Sequence, residues 1–241
     1  MTADGRTAEL AAALTAVRSR IARTCNRVGR DPAEVTVIAV TKTWPAADVR
    51  RLASLGIVDV GESRDQEAAV KAAACGELRL RWHFVGRLQR NKCRSLLRYV
   101  AAVHSVDRPE LATALDAAAV AAGRRVEVTI QVSLDPGWWS GRPVDPGRGG
   151  AAPQTAVSLA DAVAGCAGLR LAGVMAVAPR GSDPDVAFGR LAEIAAGVRQ
   201  RHPAATWLSA GMSGDFEAAV AHGATHVRIG AAVLGGRAAL G

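Results

Sequence analysis

The chain has 241 residues, of which 49% are apolar and 4% aromatic, so it can bury the core of one large domain built from small aliphatic side chains. Its formal net charge is +8, carried mostly by arginines scattered along the chain, and we interpret this excess as a solvated basic surface. Widely spaced cysteines argue against a Cys-x-x-Cys metal or redox motif, and without a signal peptide or a long apolar run we expect a cytoplasmic chain with no membrane contact.

The first predicted elements are a helix, a strand and a second helix. Apolar residues recur at helical spacing across 7–29, which predicts an N-terminal helix. The almost continuous apolar run at 35–40 is typical of a strand that is buried on both faces, as in a parallel sheet. Pro45 then opens a helix that ends near Gly56.

The same alternation continues to the end of the chain. Further strands are predicted near 57–60, 82–85, 100–106, 126–133, 171–177, 205–209 and 225–229. Helices are predicted between them, near 64–74, 88–98, 108–122, 155–166, 185–200 and 214–222. Eight β/α repeats predict an α/β fold, a single (β/α)8 TIM-type barrel over 1–241 with an extra N-terminal helix within 1–30. The pattern alone leaves an open, doubly wound sheet as the alternative.

One segment interrupts this rhythm. Residues 135–153 are rich in proline and glycine, which predicts a long, mobile loop. The segment follows the fifth strand, so we expect it at the carboxyl-end face, where barrels carry their active sites.

Lys42 is the first candidate for chemistry. It follows the buried run at 35–40 by two residues, so it lies at the carboxyl end of the first strand. Burial at a strand end lowers the pKa of an amine, and a neutral amine is what Schiff-base formation with an aldehyde requires. A structural lysine that reaches solvent from a strand end is the alternative at this point.

Two turns made of small residues are the second candidate. Residues 209–213 come at the end of the seventh predicted strand, and residues 227–232 repeat the arrangement at the end of the eighth. Small residues at strand-to-helix turns let backbone N–H groups approach an anion, and the loops after strands seven and eight of barrels often bind phosphate. The pair therefore indicates a phosphate site.

The segment at 82–92 is the third candidate. His83 lies within a predicted strand, which favours a role in the core. Seven basic residues fall between Arg79 and Arg98, which raises RNA contact as an alternative function. Aromatic residues are not interleaved along the basic helix that is predicted here, and no RNA-binding motif is present, so we do not favour nucleic acid as a partner.

Together these segments resemble one known family. The resemblance rests on AVTKT at 39–43, VGE at 60–62, WHFVGRLQRNK at 82–92, GVMA at 173–176, LSAGMS at 208–213 and VRIG at 227–230. In this order, and over nearly the whole chain, they are similar to the pyridoxal phosphate homeostasis protein family, whose barrel is related to the N-terminal domain of alanine racemases. The resemblance implies a non-catalytic protein that binds pyridoxal 5′-phosphate (PLP), buffers this reactive aldehyde and supplies it to other enzymes.

The resemblance also implies roles for individual residues. It implies an aldimine between PLP and Lys42, and no catalytic or metal-binding residue. The cofactor-binding positions that match the family are Lys42, Ser63, His83, Met175, Ser209, Gly211, Met212, Ser213, Arg228 and Gly230. Among them, the turns at 209–213 and 228–230 are implied to hold the phosphate, and His83 and Met175 to pack near the cofactor ring. Ser63 replaces an asparagine that is usual in the family. Because the serine side chain is shorter, we expect the cofactor ring to be anchored more loosely here, or through a water molecule.

We further expect a monomer whose partners are PLP and, transiently, PLP-dependent apoenzymes. A PLP-dependent amino-acid racemase remains the first alternative function, and an RNA-binding module the second. A racemase needs a second acid/base group on the opposite face of the cofactor, and the tyrosine-bearing domain that supplies it in alanine racemases is not expected in this chain.

Overall fold

The computed structural model describes residues 3–145 and 147–236; Pro146, which falls in the predicted loop, lies outside that part, as do the chain ends. All eight predicted strands are present. They are β1 (Thr36–Val40), β2 (Asp59–Glu62), β3 (Arg81–Phe84), β4 (Val100–Val106), β5 (Val126–Gln131), β6 (Leu169–Met175), β7 (Trp207–Ser209) and β8 (His226–Ile229).

The helices follow the predicted alternation. They are α1 (Ala3–Arg27), α2 (Ala46–Ser54), α3 (Asp65–Ala74), α4 (Cys93–Leu96), α5 (Pro109–Ala121), α6 (Gly137–Ser140), α7 (Ala156–Ala164), α8 (Pro184–Arg201), α9 (Phe216–Ala221) and α10 (Ala231–Leu234). Across the described residues, no helix combines the length and the apolar character that a membrane span needs.

The helix predicted at 88–98 is wrong in its extent. A 3₁₀ turn at Arg90–Lys92 is followed by the single turn of α4. Cys93, Leu96 and Leu97 are buried there, but the flanking positions are basic, so a second turn would have no apolar side to pack.

The strands form a closed parallel barrel in sequence order, as predicted. β1 pairs with β8, with Thr36 opposite His226 and Ala39 opposite Ile229. This pairing joins the first and last strands and excludes the open, doubly wound sheet. All strands run in one direction, so their carboxyl ends share one mouth.

The apolar core lies between the strands and the helices that surround them. Side chains alternate between the two faces of each strand, and Val227 and Ile229 of β8 belong to the apolar cluster. Arg228, between them, instead reaches Ser209 of β7. The inside of the barrel therefore carries polar side chains on several strands.

The segment 135–153 is a loop that contains α6 and is tied to the barrel at its base. The Asp135 carboxylate accepts hydrogen bonds from the backbone N–H groups of Gly137 and Asp145. A short parallel bridge joins Val132 to Ala151. The mobility of this loop stays a prediction.

Gly173 marks a close approach between β6 and β7. Its φ of 154° is outside the range that other residues prefer, and a Cβ atom there would overlap the backbone carbonyl of Trp207. The packing of these two strands therefore requires glycine at this position.

We predict that Gly173→Ala lowers the free energy of unfolding by about 1–3 kcal/mol or more, because a methyl group cannot be fitted between the strands. Gly197→Ala in α8 is the matched control: its nearest neighbour would be a Val157 methyl at 3.8 Å, and a helix interior favours alanine. We expect that variant to gain roughly 0.5–1 kcal/mol. Urea unfolding followed by circular dichroism measures both, and equal effects would contradict the prediction.

Candidate cofactor site

A cavity of about 370 Å³ opens at the mouth of the barrel. It lies beyond the carboxyl ends of β1, β2, β3, β6, β7 and β8. Its lining consists of Val40, Lys42, Ser63, Val85, Val177, Met212, Ser213, Gly214, Arg228, Gly230 and Ala231. The Lys42 amine and the Arg228 guanidinium therefore face one small, mainly apolar space, and none of the described lining residues carries a carboxylate.

Six of the ten predicted cofactor residues line this cavity. They are Lys42, Ser63, Met212, Ser213, Arg228 and Gly230. His83, Met175, Ser209 and Gly211 are not in the lining; the side chains of the first three are buried behind it. The apolar residues and glycines of the lining carry no functional group that would single them out in the sequence. Their positions just after strand ends could still have indicated that they line the cavity.

Lys42 sits in a tight turn that follows β1. The Trp44 N–H donates to the Thr41 carbonyl at 2.9 Å, which closes the turn around Lys42. Thr43 has a φ of 71°, an uncommon conformation for a β-branched residue. Such strain persists only where surrounding contacts hold it, so the position of Lys42 is fixed from outside the turn.

Charged side chains hold this turn on both sides. The Lys71 ammonium donates to the Thr41 carbonyl at 2.7 Å, and the Thr43 N–H donates to the Glu67 carboxylate. Lys71 also donates to Glu62 at 2.7 Å and to Glu67 at 2.6 Å. We call Lys71, Glu62 and Glu67 the clamp.

The clamp leaves Lys71 unsuited to nucleophilic chemistry. Its three acceptors use the three N–H bonds of an ammonium group, and the side chain is buried. Burial raises the pKa of Glu62, against the opposing effect of Lys71, and the Glu62 Oε2 atom has no hydrogen-bond partner. The clamp therefore supports the turn and is closed to the cavity.

Arg228 is a buried cation without a carboxylate partner. It is 4% exposed, and it donates to the Ser209 hydroxyl and to the Ala176 carbonyl, each at 2.8 Å. Burial lowers the pKa of its guanidinium to about 10, so it remains charged at neutral pH. No carboxylate of the described chain forms an ion pair with it. A buried charge of this kind is stabilised by an anionic ligand.

The turn after β7 brings a hydroxyl and backbone to the cavity. The Ser213 Oγ accepts from the Ala232 N–H at 3.0 Å, so the hydroxyl proton can be donated into the cavity. Gly211 has a φ of 88°, and a Cβ atom there would meet Phe216 and Ala219 of α9. Gly211 thus shapes the turn from behind the lining.

His83 lies in the barrel interior. Its ring is hydrogen-bonded to Asp59 at 2.8 Å and to His104 at 2.9 Å. Sequence reasoning missed the importance of Asp59 and His104. The signal was present, because a polar side chain in a strand buried on both faces must have a partner there.

The basic residues of 79–98 do not form one surface. Arg81 lies at the amino end of the barrel and pairs with Glu127 at 2.7 Å. Arg87 and Lys92 lie at the opposite end, where they line a second cavity of about 600 Å³ that also touches Ser63. This separation removes the continuous basic face on which the RNA alternative depended.

Comparison with known proteins agrees with the geometry of the barrel. Residues 13–238 match the family model for the alanine racemase N-terminal domain. A solved structure of PipY from Synechococcus elongatus with PLP bound superposes with a TM-score of 0.80 at 33% identity, over 94% of this chain and 100% of that one.

Two curated relatives share the same name. The pyridoxal phosphate homeostasis protein of Mycobacterium tuberculosis is 45% identical over 96% of this chain and 94% of its own length. That of Escherichia coli K12 is 35% identical over 95% and 97%. In both comparisons the identity extends over nearly the full length of this chain and of the relative. This chain therefore belongs to the pyridoxal phosphate homeostasis protein family.

Proposed function

We propose that this chain binds PLP at the barrel mouth through a Schiff base with Lys42 and takes part in PLP homeostasis without catalysing a reaction of its own. The observation that carries the proposal is the arrangement of the lining: an amine and a guanidinium, which forms no ion pair with any described carboxylate, face the same 370 Å³ cavity. An amine suits an aldehyde, and a buried guanidinium suits a phosphate or another anion. PLP, when bound, brings both groups and an electron-accepting ring.

Among the three lysines of the chain, Lys42 is the one whose surroundings best suit Schiff-base formation. Lys71 is closed inside the clamp, with all three of its N–H bonds used. Lys92 belongs to the 3₁₀ turn beside the second cavity. Lys42 alone shares a cavity with Arg228, so its Nζ can condense with an aldehyde, with loss of one water, while the anionic end of the same ligand meets the cation.

The phosphate is the group that the remaining polar lining suits best. Ser213 can donate its hydroxyl proton, and Arg228 supplies the positive charge. Ser63, at the edge of the cavity, is the nearest match for a contact to the ring oxygen. The apolar side chains of Val40, Val85 and Val177 provide surfaces against which a flat ring can pack.

The same lining argues against amino-acid racemisation. Its described residues include one amine, Lys42, and no carboxylate, imidazole or phenol. His83 is held by Asp59 and His104, and the Tyr99 hydroxyl donates to Asp65 at 3.0 Å, outside the cavity. A carrier role, in which a cytoplasmic monomer passes PLP to apoenzymes, therefore suits the site better than two-sided acid/base chemistry.

We predict that borohydride reduction after incubation with PLP fixes a pyridoxyl group on Lys42, because that amine is the one held in the cavity. Absorbance spectra detect the bound cofactor, and peptide mapping identifies the labelled residue. Lys42→Arg should lose both the visible absorbance band and the label, whereas Lys92→Arg should retain them. Recovery of the main label at Lys71 or Lys92 would show that the assignment is wrong.

We predict that Ser213→Ala weakens binding of PLP much more than binding of pyridoxal, because only PLP carries the phosphate. A hydrogen bond to a charged group contributes about 1.5–3 kcal/mol, which corresponds to about tenfold or more in the dissociation constant. Ser158→Ala, in the exposed part of α7, is the control and should change neither affinity. Equal weakening of both ligands by Ser213→Ala would contradict a phosphate contact.

We predict no racemisation of alanine above the rate with free PLP. A positioned acid/base group contributes about 10²–10⁴-fold to such rates, and the lining offers one on a single side. A chiral assay with Lys42→Ala as the background measures this. Robust turnover that this substitution abolishes would favour the racemase instead.

A further inference from the structure

A row of hydrogen bonds crosses the inside of the barrel and ends at the cofactor cavity. Asp59 Oδ1 lies 2.8 Å from His83 Nε2, and His83 Nδ1 lies 2.9 Å from His104 Nε2. His104 Nδ1 lies 2.9 Å from the Ser209 hydroxyl, which accepts from Arg228 Nη1 at 2.8 Å. We call these five residues the barrel network.

The barrel network is isolated from solvent. His83, His104 and Ser209 are at most 1% exposed, and Arg228 is 4% exposed. Only Asp59, at 7%, approaches the amino end of the barrel, where Arg81 lies 3.4 Å from it. With water excluded, each buried polar atom depends on its neighbour in the row.

These contacts allow one arrangement of protons when Asp59 is ionised and both imidazoles are neutral. The carboxylate can only accept, so His83 Nε2 carries a proton and His83 Nδ1 accepts from His104 Nε2. His104 Nδ1 must then accept from the Ser209 hydroxyl. The Ser209 oxygen in turn accepts from Arg228, so every bond in the row is donated from the mouth towards Asp59.

The protonation states follow from the surroundings. Burial lowers the pKa of His83, and it lowers the pKa of His104 well below its usual range, so both rings are neutral. Burial alone would raise the pKa of Asp59, but the hydrogen bond from His83 and the nearby charge of Arg81 hold it below its ordinary value. Neutral groups thus connect the Arg228 guanidinium at the mouth to the Asp59 carboxylate at the far end, while the carboxylate whose charge acts on Arg228 is that of Asp215.

We propose that Asp59, His83 and His104 are positioning residues, which hold the Ser209 hydroxyl and, through it, fix the Arg228 guanidinium as a hydrogen-bond donor to the ligand in the cavity. This inference rests on the proposed function, because it assigns the orientation of Arg228 to the binding of a phosphorylated aldehyde. It also changes the expected role of Ser209. Since its one proton goes to His104, Ser209 acts on the ligand through Arg228 rather than as a phosphate donor.

His226 provides a matched control inside the same barrel. It is 5% exposed, and its ring centroid lies 4.1 Å from that of Trp207. Its Nδ1 atom is bonded to the Thr225 hydroxyl at 2.8 Å rather than to the barrel network. A substitution there removes a buried imidazole but leaves the row intact.

The first test measures the tautomers of His83 and His104 in the wild-type protein without ligand. Long-range ¹⁵N–¹H correlation spectra at neutral pH should show both rings protonated at Nε2 and unprotonated at Nδ1. A proton on Nδ1 of either ring, or a charged imidazole, would overturn the proposed direction of the row. This result does not depend on PLP or on the folding of a variant.

The second test compares PLP dissociation constants of His104→Phe and His226→Phe. We expect His104→Phe to weaken PLP binding about tenfold or more, and His226→Phe to change it less than about twofold. Asp59→Asn keeps an acceptor oxygen but removes the charge, so we expect an intermediate loss. Equal losses for the two phenylalanine variants would overturn the inference.

A double-mutant cycle separates positioning from packing. If His104 acts through Arg228, then His104→Phe should cause no further loss of PLP affinity in an Arg228→Gln background. Additive losses would overturn the inference. Asp59→Asn replaces His104→Phe in the cycle if the latter does not unfold cooperatively.

Different results would overturn the proposed function and the role of the barrel network. A wild-type protein that binds no PLP would overturn the proposed function. Normal PLP binding together with the wrong tautomers, or with an unaffected His104→Phe variant, would overturn the barrel network alone.

Discussion

The pairing of β1 with β8 is the constraint on which the site depends. The register that sets Ala39 opposite Ile229 brings Lys42, near the start of the chain, beside Arg228 and Gly230, near its end. These residues are almost 190 positions apart in sequence. An amine and a guanidinium would repel each other in a flexible chain, and closure of the barrel holds them across one cavity despite that repulsion.

Two buried cations near the mouth differ in the charge of their hydrogen-bond partners. Lys71 has two carboxylates and a carbonyl around it, so its charge is neutralised within the protein. Arg228 has only neutral partners in direct contact, and the carboxylate whose charge acts on it, Asp215, forms no ion pair with it. The first cation stabilises a strained turn, and the second remains able to attract an anion.

The fold could be predicted because apolar runs and helical spacing respond to burial, which the sequence encodes locally. The placement of Lys42, Ser213 and Arg228 around one cavity could be predicted, because they lie just after strands, or at a strand end, where a parallel barrel gathers side chains at one mouth. The hydrogen bonds of His83 could not be predicted. Its partners, Asp59 and His104, come from other strands, and the register between the strands decides which atoms meet. Interior polar networks of this kind depend on three-dimensional contacts that no local pattern contains.

The clamp has a consequence for the selectivity of a protein that handles an aldehyde. Only three of the thirty lysines and arginines are lysines, and the clamp encloses Lys71 among hydrogen-bond acceptors. Arginine retains its proton at any physiological pH and does not form Schiff bases, so the basic surface attracts anionic aldehydes without reacting with them. Among side-chain amines, Lys92 is then the main competitor of Lys42, and unwanted adducts on the protein itself are limited by its composition.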